Sequence, residues 1–189
     1  MHGSGLGGAQ LACGPGELRP GRRRLQLTKE AGLGIETLSS YVAAMTSPES
    51  IYHWRRLDDR ITTSGQPSEA ELTDIAALGV RYVINLGLLS HEKALPDEAQ
   101  TVAALGMNYI HIPVDFKNPA ERDFAIFCMS LEKTGDAPTH VHCIANYRVS
   151  AFFYRYRITV IGMDETRARA DLEAIWRPNA VWAAFINLR

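Results

Sequence analysis

Four short apolar runs, separated by stretches of helical spacing, restrict this chain more than anything else in it. Ile61-Thr62-Thr63, Val80 to Leu86, Met107 to Val114 and the segment from Pro138 to Cys143 read as strands. Ser68-Glu69-Ala70-Glu71 is a capping box that opens a helix with Leu72, Ile75 and Ala76 on its apolar face, and Gly79 ends it. Asp97 opens a second helix through Ala99, Val102 and Leu105, stopped at Gly106. Phe124, Phe127, Cys128 and Leu131 share one face of a third, broken by Thr134 to Pro138. Such alternation predicts an α/β fold with a central, mostly parallel sheet flanked by helices. The rest of the chain predicts a C-terminal helical run. Val149 to Ile161 is an apolar helix ending at Gly162, interrupted by Arg155 and Arg157, which reach acidic partners or solvent. Asp164 caps the next helix, with a Glu165–Arg169 pair and an inner face of Leu172, Ile175 and Trp176. Beyond Pro178, Val181, Trp182, Phe185 and Ile186 form the last.

The chemistry concentrates where the fourth strand meets its helix. Cys143 ends the strand, Arg148 follows five positions later and Ser150 two beyond that. A thiol at a helix N-terminus beside a guanidinium is stabilised as thiolate, the nucleophilic form. The amides from Ile144 through Ala145, Asn146 and Tyr147 to Arg148 are placed to cradle an oxyanion, and Arg148 can clamp two of its oxygens. Ser150 is positioned to hydrogen-bond the sulfur and help expel it, and His142 to orient the loop. Asn146 tolerates the left-handed backbone that a tight turn needs. Asp115, in the exit Pro113-Val114-Asp115-Phe116-Lys117-Asn118-Pro119, is the candidate general acid, with Glu121 and Asp123 as fallbacks. His140 and His142 point to one face of their strand. They lack a clear fourth ligand for zinc, so His140 reads as peripheral and no metal is expected.

The His142-Cys143…Arg148…Ser150 stretch resembles the signature loop of the cysteine-dependent protein tyrosine phosphatases. Thr63-Ser64-Gly65-Gln66-Pro67, Val83-Ile84-Asn85-Leu86, Ile112-Pro113-Val114-Asp115 and Ile175-Trp176-Arg177-Pro178-Asn179 resemble a small bacterial group related to dual-specificity phosphatases. The resemblance runs from about Ile51 to the C-terminus. It implies the phosphatase fold and hydrolysis of phosphate monoesters, on protein phosphotyrosine or with dual specificity, through a cysteinyl-phosphate on Cys143, without a cofactor. The usual spacing in that family is Cys-x5-Arg with a glycine in the loop. Here it is Cys-x4-Arg and the loop has no glycine. Rhodanese-type sulfurtransferases use a similarly short loop, so a Cys143 persulfide is the rival reading, and a phosphate-binding module without turnover is the third.

Length and charge set the remaining bounds. The 189 residues predict a Gly-Pro-rich, poorly packed extension over 1–49 and one catalytic domain over 50–189. A weak helix over Ile35 to Met45 is expected within the extension, and Met45 is a candidate natural start. Gly3-Ser4-Gly5-Leu6-Gly7-Gly8 has no strand before it and is not read as a nucleotide loop. A net charge of −1 points to neither nucleic acid nor membrane, and the resemblance implies a phosphorylated protein or small phosphate ester as partner. Three cysteines form no disulfide framework, and a thiolate chemistry suits the reducing cytoplasm.

Overall fold

The computed structural model describes residues 48–187, and the helix expected over Ile35 to Met45 lies outside them. Among the described residues, five strands form one sheet in the order β1-β2-β5-β3-β4. They are β1 (Arg55–Arg56), β2 (Ile61–Ser64), β3 (Tyr82–Asn85), β4 (Asn108–His111) and β5 (Thr139–His142). The last four run parallel, and β1 adds an antiparallel edge through Arg55↔Thr63 and Arg56↔Thr62. The expected strands are all present, β2 one residue longer than its run and the other three shorter than theirs, and β1 is an addition.

Helices α1 (Glu69–Ala77), α2 (Glu98–Ala104) and α3 (Glu121–Thr134) make the crossovers. Ser68 and Glu71 form the expected reciprocal capping box, and Gly79 leaves α1 at φ 82°. Successive strand residues point to opposite faces, and the pleat divides the molecule accordingly. Val83 packs with Leu72, Ile75 and Val102 under α1 and α2. Ile84 and Val141 pack on the other face with Phe124, Phe127, Phe152 and Trp182.

That second face receives the C-terminal run. Helix α4 (Tyr147–Tyr156) passes into a π-helical turn, Arg157–Ile161, that ends on Gly162 at φ 72°. Helices α5 (Glu165–Glu173) and α6 (Ala180–Ile186) follow, capped by Asp164 and Asn179. Arg155 and Arg157, expected to interrupt the helix, are both buried and ion-paired. Arg155 forks onto Glu121, with one bond of 2.7 Å, and lies 4.3 Å over the Phe124 ring. Arg157 pairs with Asp171. Glu121, named as a fallback acid, is thus an exposed carboxylate paired with the buried Arg155.

Strand β5 lies between β2 and β3. The chain passes outward from β3 to β4 and then returns to β5, so the exits of β5 and its neighbours diverge. In open α/β sheets such a crevice at the carboxyl ends of the strands is where ligands bind.

Candidate active site

Cys143 follows β5 directly, with its amide donating to the Ser64 carbonyl at 3.4 Å and no solvent-accessible surface. Asn146 turns the chain into α4 at φ 61°. Its Nδ2 donates to the His53 carbonyl at 2.8 Å and to Thr63 Oγ1 at 3.1 Å. Asn146 thus supplies the turn that glycine otherwise provides. Its side chain makes no cap to α4, so the amides of Tyr147 and Arg148, which have no helical acceptor, remain uncapped by it.

Arg148 is 7% exposed, so its head group is held within the protein. Its Nε donates to the Val114 carbonyl at 2.9 Å, and its guanidinium carbon lies 5.2 Å over the Phe116 ring. This bond ties the thiol loop to the segment carrying Asp115. Asp115 is exposed and accepts from the Lys117 amide at 2.9 Å. The Phe116 carbonyl accepts from Trp182 Nε1 at 2.9 Å. The exit of β4 is therefore pinned from α4 on one side and α6 on the other.

Ser150 is placed elsewhere than expected. Its Oγ donates to the Tyr147 carbonyl and accepts from Trp176 Nε1, each at 3.1 Å. The hydroxyl's single proton goes to the Tyr147 carbonyl, one helical turn back, and its oxygen receives the indole N–H. Tyr147 stacks on Trp176 with centroids 4.6 Å apart. Burial first, and the neighbouring Tyr52 next, push the Tyr147 hydroxyl pKa up. An open groove of about 510 Å³ runs beside Ile144 and Ala145, bordered by Tyr52, Gln66, Lys93 and Leu95.

The protein is similar over most of its described length to a DUF442 phosphatase candidate from Shewanella putrefaciens CN-32. The two are 30% identical with a TM-score of 0.66, covering 73% of this chain and 91% of that one. This chain belongs to the protein tyrosine phosphatase-like family. The fold of its more distant members agrees. A cysteine-to-serine form of TpbA from P. aeruginosa, solved in complex with pTyr, gives 17% identity and a TM-score of 0.60 over 75% of this chain and 86% of that one. A beta-lactamase hydrolase-like protein of Agrobacterium fabrum is 28% identical over 123 residues, 62% of this chain. This chain spans only 27% of that relative's length. No protein-family model matches the sequence.

Behind the thiol, this family member carries groups that sequence reasoning missed. His140 is not peripheral: it is fully buried, with Nδ1 at 3.0 Å from Thr62 Oγ1 and Nε2 at 3.0 Å from Ser64 Oγ. Ser64 donates its own proton to the Gly65 carbonyl, so it accepts from His140 Nε2–H and Thr62 donates to Nδ1. Both nitrogens are thus used. Burial and then the charge of His142 hold the His140 pKa below its usual value. His142, also buried, places Nε2 at 3.1 Å from Glu98 Oε1, close enough for an ion pair but poorly angled for a hydrogen bond. Burial alone would raise the Glu98 pKa. The facing His142 and hydrogen bonds from Tyr109 and Gln66 outweigh it and lower the value to about 2. His53 was missed as well. At φ 53°, its Nδ1 donates to the Ala145 carbonyl at 3.0 Å. Glu98 looks in sequence like an ordinary first-turn acid, and His53 belongs to no periodic pattern.

Proposed function

We propose that this protein hydrolyses phosphate monoesters through a cysteinyl-phosphate intermediate. Cys143 Sγ attacks phosphorus while the ester oxygen leaves with a proton from Asp115. The Asp115 carboxylate then takes a proton from water, whose oxygen displaces the thiolate and releases inorganic phosphate. The Arg148 guanidinium and the amides of Ile144, Ala145, Asn146, Tyr147 and Arg148 hold the equatorial oxygens in both steps. The observation that carries this reading is the buried Arg148 in the first turn of an α4 whose N-terminus has no side-chain cap, five residues after the thiol. Anionic oxygens are what such a place attracts.

Ser150 is assigned to holding Trp176, and so the Tyr147 stack, rather than to expelling sulfur. Tyr147, Trp176 and Phe116 give the mouth an aromatic side suited to an aryl phosphate, including phosphotyrosine on a protein. No helix among the described residues is long and apolar enough to cross a membrane. A reducing cytoplasm is the setting a free thiolate needs.

Two other readings each draw on one observation. Sulfur transfer through a Cys143 persulfide draws on the four-residue spacing between Cys143 and Arg148. Phosphate binding without turnover draws on the burial of Cys143, whose sulfur must be uncovered before it can attack. Aryl phosphate and thiosulfate assays on wild type and Cys143→Ser decide among them. The phosphatase reading expects phosphate release by wild type only. Thiocyanate formation from thiosulfate and cyanide would support the first rival. Bound phosphate with neither activity would support the second.

A further inference from the structure

One buried carboxylate meets a residue from, or just past, each of the four parallel strands. Glu98, the first residue of α2, is 1% exposed. Its Oε1 accepts from Gln66 Nε2 at 2.6 Å, two residues past β2, and faces His142 at the end of β5. Its Oε2 accepts from Asn85 Nδ2 at 2.6 Å, at the end of β3, and from the Tyr109 hydroxyl at 2.7 Å, within β4. The register explains the convergence. Ser64, His142, Asn85 and His111 form one row across the sheet, on the face that α2 covers.

Three of these contacts lead to the thiol loop. His142 is the residue before Cys143. The Gln66 backbone amide donates to the Ile144 carbonyl at 3.1 Å. Asn85 Oδ1 accepts from the Gly87 amide at 2.6 Å, and a Cβ on Gly87 would lie 3.4 Å from Ile144 Cδ1. Residues 142 to 144 are thus fixed by groups that are themselves fixed by Glu98. A buried carboxylate with this many donors is rigid, and its loss leaves several buried donors unsatisfied at once.

We propose that Glu98 is the positioning residue of the site, acting through His142 and Gln66 to hold the Cys143 loop in its anion-binding form. This deepens the phosphatase reading and rests on it for its meaning. The charged and titratable groups around His142 are Glu98 from α2, Tyr109 from β4 and His140 from its own strand. Around the loop they are His53 on the Ala145 carbonyl, Arg148 from α4, Asp115 from the β4 exit, and Glu71 and Lys93 across the groove. The amides of that loop are what stabilise the thiolate, so a loop no longer held by Glu98 stabilises it less.

The test is the titration of the Cys143 thiolate by ultraviolet absorbance, taken as wild type minus Cys143→Ser and repeated in Glu98→Gln, His142→Gln and their double variant. Glu98→Gln is expected to raise the thiol midpoint by about one unit, which is about a tenfold smaller thiolate fraction below it. It should lower kcat on aryl phosphate with little change in KM. The double variant should shift the midpoint no further than His142→Gln alone. An unmoved midpoint in folded Glu98→Gln, or shifts that simply add, would overturn the proposal. Should Glu98→Gln not fold, Tyr109→Phe and Gln66→Met each remove one donor and leave the carboxylate. A smaller upward shift in both is then expected, and none in either overturns it. The titration reads the thiol and not turnover. A chain that proved not to hydrolyse phosphate esters would still show the shift, and a missing shift with hydrolysis intact would sink this inference alone.

Discussion

His53 and Asn146 are the two non-glycine residues with positive φ among the described residues, and each holds the other's segment. Asn146 Nδ2 donates to the His53 carbonyl, and His53 Nδ1 donates to the carbonyl of Ala145. Such backbone persists only where neighbours over-determine it, and it clusters at functional sites. Asn146→Gly removes the side-chain bonds but suits the conformation. Asn146→Ala removes them and adds left-handed strain. We expect losses of about 1–2 kcal/mol for glycine and about 1 kcal/mol more for alanine. Urea unfolding of both variants measures the gap, and alanine as stable as glycine would mean that the turn is not left-handed in solution. At Arg148 the prediction concerns rate. Lysine cannot donate to the Val114 carbonyl and clamp two oxygens together. Arg148→Lys should cost about 10²–10³ in kcat, the range for removing one oxyanion donor. At Asp115 it concerns pH. A thiolate and a protonated acid must coexist, so the wild-type kcat profile should peak on the acid side of neutrality. Asp115→Asn should lose the alkaline limb, and a wild-type rate that keeps rising into alkali would remove Asp115 as the acid.

At the level of elements, α6 acts on the site from the far side of the second core. Trp182 is buried among Phe152, Phe185 and Phe116, yet its indole N–H reaches out to the Phe116 carbonyl beside Asp115. Trp182→Phe keeps most of the apolar contact and removes that donor. A loss of about 2–3 kcal/mol is expected from the small cavity and the unmade bond. If the bond also sets the acid, kcat should fall more for phenyl phosphate, whose leaving oxygen needs a proton, than for nitrophenyl phosphate. An equal fall for both would make Trp182 a packing residue only. Much of this architecture was legible in the chain because its signals are local. The Ser68–Glu71 box, the Gly79 and Gly162 exits and the thiol-to-arginine spacing each lie within a few residues. What was illegible depends on distant partners. Two exposed arginines become β1 only because β2 offers an edge. Glu121 serves Arg155 from 34 residues away, and Glu98 is buried among residues of four strands and their exits. The bond that Ser150 receives from Trp176, 26 residues on, was hidden for the same reason.

For the molecule as a whole, the groups behind the thiol set how far into acid the fold survives. Two of them make folding depend on pH in the same direction. His140 is buried between Thr62 and Ser64, and its folded pKa lies below the ordinary 6.5. Once the pH drops under 6.5, the unfolded chain binds a proton that the folded one refuses, so stability falls. Glu98 adds a second loss. Its carboxyl titrates near 2 in the folded protein against 4.5 ordinarily, so the stability it contributes is complete above 4.5 and disappears as pH falls towards 2. Each proton is worth about 1.4 kcal/mol per pH unit at full slope. Urea midpoints taken from neutrality downward should therefore decline first with a slope approaching one proton and steepen as the carboxyl begins to titrate. His140→Gln should flatten the first part whatever it does to stability at neutral pH, because it removes the titrating group. Glu98→Gln should remove the steepening. A wild-type midpoint flat through both ranges would show that neither group is held as the structure has it. The same decline bounds the chemistry. Protonated Asp115 favours acid and the folded His140 and Glu98 oppose it, so the acid limb of kcat should follow the thiol only while the urea midpoint holds. Below that point the two curves should fall together.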